Sequence, residues 1–95
     1  MEINEKERLL NLLGELVKKL REDKNSNSFA WFITQGSEII DKFKDGLSSP
    51  KGEIARFLRF IINSTNRNVP LKELYDQDIE KNGSISQLFD LVIRF

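Results

Sequence analysis

Cysteine and histidine are both missing from this chain. Without cysteine there are no disulfides, no thiolate chemistry and no cysteine-ligated zinc, a composition compatible with a reducing cytosol. Without histidine, the commonest general base and the commonest metal ligand are gone as well. Net charge is lacking too: fifteen basic and fifteen acidic residues cancel, so no global field favours nucleic acid or an anionic membrane. No apolar run approaches the length of a membrane span, and the opening MEINEKERLL does not have the charged-then-apolar layout of a signal peptide. A soluble, cytoplasmic protein is expected.

What is present suits one ordinary domain. Ninety-five residues can bury a single core but cannot house a cofactor domain beside a substrate domain. An apolar fraction of 39% with seven phenylalanines, against 32% charged, is globular rather than disordered. The domain is expected to span residues 1–95. Its charge is uneven along the chain: residues 46–69 carry Lys51, Arg56, Arg59 and Arg67 against Glu53 alone.

Hydrophobic periodicity predicts helices throughout. Asn4 with Glu7 three residues on is a capping pattern, and Leu9, Leu13, Leu16, Val17 and Leu20 then recur at the helical period, giving a helix over about 5–22. Gly14 inside it suggests close approach of a neighbour. A polar connector offers Ser26, Asn27 or Ser28 as the next cap. Phe29, Phe32, Ile33, Gly36, Ile40 and Phe43 make a second stripe over about 28–45, with Gly46 as its C-terminal cap. Ser49 as N-cap and Pro50 in the first turn open a third helix over about 50–66, with Ile54, Phe57, Leu58, Ile61 and Ile62 on one face. Pro70 restarts a fourth over about 70–82, facing inward with Leu71, Leu74, Tyr75 and Ile79 and ending near Asn82 and Gly83. No strand alternation and no internal repeat compete. The expected fold is all-α, an antiparallel up-and-down four-helix bundle with a short apolar C-terminal helix or tail at 84–95.

That last segment is unusually apolar. Ser84 with Gln87 three on reads as another capping box, and as a helix Ile85, Leu88, Phe89, Leu91, Val92, Ile93 and Phe95 would cover an arc of roughly 200°. One reading makes it a lid over the bundle end; the other leaves apolar surface for a partner or a membrane. Two further residues lie off the stripes. Trp31 projects with Glu38, Lys42 and Asp45, and Phe60 lies beside Arg56 and Asn63. Tryptophan, phenylalanine and arginine together have the composition of an interface hot spot, although each ring alone would serve to cover a loop or widen the core.

Chemistry is hard to find. Glu38 with Asp41, and Asp76, Asp78 and Glu80, read as solvated helix faces rather than catalytic pairs. DQDIEKNGS has neither the ordered spacing nor the closing glutamate of a calcium loop. No glycine-rich phosphate loop and no nucleophile elbow occur. Ser48, Ser49 and Ser84 are explained as caps. The third helix, basic and aromatic, has too small a charge surplus to be a nucleic-acid footprint. No catalytic residue, cofactor or metal site is expected.

At the third-to-fourth helix junction INSTNRNVPLKELY, and in the apolar C-terminus closing on RF, the chain resembles the bacteriocin immunity proteins of lactic acid bacteria, particularly the lactococcin A type. The first half agrees in length and helical layout, and the family's glycine-rich tail is reduced here to Gly83. The resemblance implies a cytosolic four-helix-bundle protein that shields its producer from a pore-forming class II bacteriocin. It would act from inside on a mannose-type phosphotransferase permease once bacteriocin has engaged it, with the C-terminal half carrying specificity. Leu88, Phe89, Leu91, Val92, Ile93 and Phe95 would then wedge against the membrane protein, and Arg94 would reach lipid phosphates or an acidic group of the permease. Trp31, Arg56 and Phe60 complete the expected partner-binding set. A monomer is expected, with peripheral membrane contact at most. The rival is a small helical adaptor or regulator of phage or toxin-antitoxin type that self-associates through the same tail or binds a protein partner.

Overall fold

The computed structural model describes residues 4–93. Asn4 opens the first helix as its spacing to Glu7 predicts, its side chain accepting from the Glu7 amide at 2.8 Å. This helix, α1 (Glu5–Glu22), buries Leu9, Leu12, Leu13, Leu16, Val17 and Leu20. A 3₁₀ turn, Ser26–Phe29, precedes α2 (Ala30–Phe43). None of the three residues expected to cap here does so through its side chain. Asp23 supplies the local bond instead, accepting from the Asn25 amide at 2.7 Å.

The second helix ends earlier than expected. It stops at Phe43, and Gly46 is not a left-handed cap, since no glycine among the described residues has positive φ. The Gly46 carbonyl is tied back to α1 by the Lys6 ammonium. Helix α3 (Lys51–Ser64) begins one residue later than expected: Pro50, not Ser49, holds the N-cap position, and the Ser49 hydroxyl accepts from the Lys51 amide at 3.2 Å from one residue before it. Asn68 both caps α4 (Val69–Glu80), accepting from the Leu71 amide at 3.1 Å, and donates to the Ser28 carbonyl at 3.1 Å. It thereby pins the start of α4 to the 3₁₀ turn.

The expected tail is α5 (Ser84–Val92), and it belongs to the core. It packs against α1, α3 and α4 together, with Ile85 and Leu88 essentially without exposure. Touched on three sides, the helix encloses Ile85 and Leu88, while Phe89, Leu91, Val92 and Ile93 stay half-buried. The described residues therefore form an all-α fold of five helices around one core, with no strand among them.

What sets α5 in place is Asp78. Far from lying on a solvated face, this residue is 3% exposed. Asn82, at φ 53°, is the left-handed residue that ends α4 in a Schellman arrangement, with the Gly83 amide on the Asp78 carbonyl at 2.8 Å and the Asn82 amide on the Ile79 carbonyl at 3.2 Å. The Asp78 carboxylate then reaches over the turn and accepts from the amides of Ile85 at 3.2 Å and Ser86 at 3.0 Å. Lys19 of α1 donates to it as well, at 3.1 Å. The capping box read from Ser84 and Gln87 is not formed: Ser84 is the first helical residue and its buried hydroxyl has no partner. Because Asp78 takes the inward position, its neighbour Ile79, expected in the core, is left 42% exposed.

Close helix contact occurs at Gly36 rather than Gly14. A Cβ on Gly36 would lie 2.5 Å from Val17 Cγ2, so the missing side chain is what lets α2 seat on α1, whereas a Cβ on Gly14 would meet nothing within 4 Å. Opposite effects should follow from the same substitution. Gly14→Ala should raise stability by about 0.5–1 kcal/mol through helix propensity. Gly36→Ala should lower it, because β-branched Val17 has little rotamer freedom with which to yield; thermal melts of the two variants decide. For the α4 and α5 junction, Asp78→Ala should cost about 2–3 kcal/mol by orphaning one buried and one part-buried amide. Lys19→Ala should cost under about 1 kcal/mol, since that ammonium is part-solvated. Equal melting temperatures for the Asp78 and Lys19 variants would show that the ion pair, not the cap, is what matters.

Candidate partner-binding site

Three residues singled out by sequence come together between α2 and α3. Trp31 and Phe60 meet edge to face, ring centroids 5.5 Å apart at 74°. They line one cleft of about 240 Å³ with Arg56, Gln35, Ile39, Glu53 and Phe57. The helical period explains the convergence: Trp31, Gln35 and Ile39 recur every fourth residue on α2, as Arg56 and Phe60 do on α3. Trp31 therefore turns toward α3 on the arc of α2 that it shares with Glu38 and Lys42, while Asp45 lies beyond the end of the helix.

The rings are anchored from beneath. Trp31 also meets Phe32 edge to face at 5.0 Å, and Phe32 meets Phe57 at 6.0 Å. Phe32 and Phe57 are core residues, while Trp31 is 50% and Phe60 47% exposed. An aromatic ladder thus runs from the core to the surface, each contact of the favourable T-shaped kind.

The cleft lining carries one cation, Arg56, and one carboxylate. Its one carboxylate, Glu53, is held by Lys42 reaching across from α2 at 2.6 Å, and Lys42 lies over the Phe43 ring. Arg56 and Arg59, three residues apart, are exposed, and among the described residues neither side chain makes a hydrogen bond or ion pair. Elsewhere, Lys72 donates to Asp76 one turn on at 2.7 Å, and that bond, with the attraction of the carboxylate, raises its pKa above the ordinary lysine value. Both residues are exposed on α4.

The apolar C-terminal set is divided. Leu88 is fully buried and has no surface to give a partner. Phe89, Leu91, Val92 and Ile93 pack half-buried against the core. Arg94 and Phe95 lie outside the described residues. A second groove, floored by Gly14, Val17 and Ile40 of α1 and α2, is rimmed by Lys18, Arg21, Glu22 and Asp41, and Arg21 donates across it to Ser37 at 3.0 Å. Sequence reasoning missed Gln35, Ile39, Glu53 and Phe57 as lining residues. Only Ile39 carried a signal, as an apolar residue two turns beyond Trp31.

Among the described residues no group of three or more acidic side chains is placed to hold a metal ion, and no helix is long and apolar enough to cross a membrane. No protein-family model matches the chain, and neither a curated protein nor a solved structure does.

Because half of each ring already faces water, Trp31→Ala or Phe60→Ala should destabilise by about 1–1.5 kcal/mol, well short of a buried aromatic deletion. Trp31 is the only tryptophan, so its native emission should be readily quenched by acrylamide. Quenching as weak as that of a fully enclosed indole would mean the cleft is closed in solution.

Proposed function

We propose that this chain is a non-enzymatic, partner-binding protein of the bacteriocin immunity type. On this reading it works in the cytoplasm, at the inner face of the membrane. It binds a mannose-type phosphotransferase permease that a pore-forming class II bacteriocin has engaged, and so prevents a lethal opening. The observation that carries the binding part is the half-exposed Trp31 and Phe60 pair beside the unpaired Arg56. Such residues dominate interface energetics where they sit preformed and central. The immunity part rests on the resemblance at INSTNRNVPLKELY and in the C-terminal segment. Short connectors support an antiparallel up-and-down order for α1 to α4, with α5 inserted against them.

The location of α5 changes how the C-terminal segment takes part. Phe89, Leu91, Val92 and Ile93 retain some surface and extend the apolar area available to the permease, while Ile85 and Leu88 serve the fold. Deleting residues 84–95 would remove two core side chains, so lost protection in that truncation would report unfolding rather than function. Point variants at the surface avoid the difficulty.

The test is survival. A sensitive lactic acid bacterium expressing the chain should resist one class II bacteriocin of a panel, and Trp31→Ala should restore killing while remaining folded by circular dichroism. Killing by every member of the panel, with the protein folded and monomeric, would reject immunity. A concentration-dependent dimer that shields Trp31 would favour the self-associating adaptor.

A further inference from the structure

We infer that the cleft between α2 and α3 takes an acidic segment of a protein partner, with an apolar side chain seated against Trp31 and Phe60 and a carboxylate meeting Arg56. This rests on the partner-binding reading above and adds the chemistry of what is bound.

Size is the first argument. A space of about 240 Å³ falls below the range of small-molecule and cofactor sites, which begin near 300 Å³. It suits one protruding side chain, as when a partner helix lays an anchor residue into a groove. Preorganisation is the second. The ring ladder onto Phe32 and Phe57 fixes the walls before anything binds, so little ordering entropy is lost on docking.

Charge selects among partners. Lys42 satisfies Glu53 at 2.6 Å, leaving Arg56 as the cleft's uncompensated charge. Positions 56, 59, 60 and 63 fall within an arc of roughly 100° on α3, and all four are exposed. That arc holds two arginines, a phenylalanine and an asparagine, with no acid among them. Glu38 lies between Gln35 and Ile39 on α2 but, like Lys42, outside the lining. An arginine beside aromatic rings recognises a carboxylate through a bidentate, partly desolvated pair, where a cationic partner would be repelled. An anionic membrane would want a broader field than two arginines supply, since the chain is neutral overall.

The experiment uses the full chain and twin synthetic amphipathic peptides of about 18 residues, free of tryptophan, each with a leucine face. One twin carries glutamate beside the leucines and the other lysine. Titration is followed by the emission of Trp31. The glutamate twin should shift it to the blue and saturate, and the lysine twin should bind at least about tenfold more weakly. Arg56→Glu should reverse that preference, and Arg56→Gln should abolish it, both exposed substitutions that leave the core untouched. Equal binding of the twins, or binding of neither, overturns the inference. So does a shift caused by phosphatidylglycerol vesicles but by neither peptide, which would identify a lipid surface. A shift with protein concentration alone, matched by a dimer in ultracentrifugation, would identify a second copy and also overturn it. Survival assays separate this from the functional reading. Protection lost in Trp31→Ala but kept in Arg56→Glu would leave immunity standing and remove the acidic partner. Discrimination between the twins by a chain that protects against nothing would do the reverse.

Discussion

One carboxylate holds the C-terminal third of this fold together. A helix of nine residues is not stable by itself in water, because nucleation costs more than so few bonds return. Helix α5 also begins against the core, where the Ile85 amide is buried and the Ser86 amide partly so, and both call for acceptors from the protein. Its own N-cap is Gly83, which has no side chain to offer. Asp78 resolves this from the preceding helix, accepting from Ile85 and Ser86 while its backbone carbonyl closes the end of α4. Negative charge at that point also complements the helix dipole. Gly83 is glycine for the same reason, since a Cβ there would lie 2.7 Å from an Asp78 carboxylate oxygen. The cap fixes the angle of the turn, and the angle delivers Ile85 and Leu88 to the core.

Reading the sequence located the helices well where the determining signals were local. The start of α1 at Asn4 depends on a side chain bonding an amide three residues away, and such a pair is visible in the sequence. Asp78 was not visible, because its partners lie seven and eight residues on, across a reversal of direction. By spacing alone it sits among Asp76 and Glu80 and looks solvated, while Ile79 looks buried; the structure inverts the two. Ser84 and Gln87 imitate a capping box one position too late. Gly14 and Gly36 present the same difficulty. Both interrupt apolar helices, but only the relative placement of α1 and α2 decides which of them faces a neighbour.

The candidate site was legible in its members and illegible in its geometry. Trp31, Arg56 and Phe60 stand off the apolar stripes, which one helix at a time can reveal. That they line one cleft depends on how α2 and α3 are rotated about their own axes, and this is set by the core residues Phe32 and Phe57 beneath them. The apolar C-terminal segment divides in a way that spacing does not reveal: with three neighbouring helices, α5 encloses Ile85 and Leu88 and leaves Phe89, Leu91, Val92 and Ile93 half-buried.

This division of labour bears on how the protein can bind anything. Apolar area used in the core is not free for a partner without unfolding, so Ile85 and Leu88 cannot contribute affinity except at the expense of stability. Trp31 and Phe60 can, because their exposed halves are supported from below and lose few rotamers on contact. What closes the fold is thus separate from what is offered outward: Ile85 and Leu88 of α5 do the first, and the seam of α2 and α3, with the half-buried end of α5, does the second. Phe32 and Phe57 are the points where the two meet. A change there would move the rings of the cleft and loosen the core together, so binding and stability would fall in step, whereas a change at Trp31 or Phe60 acts chiefly on what lies outside.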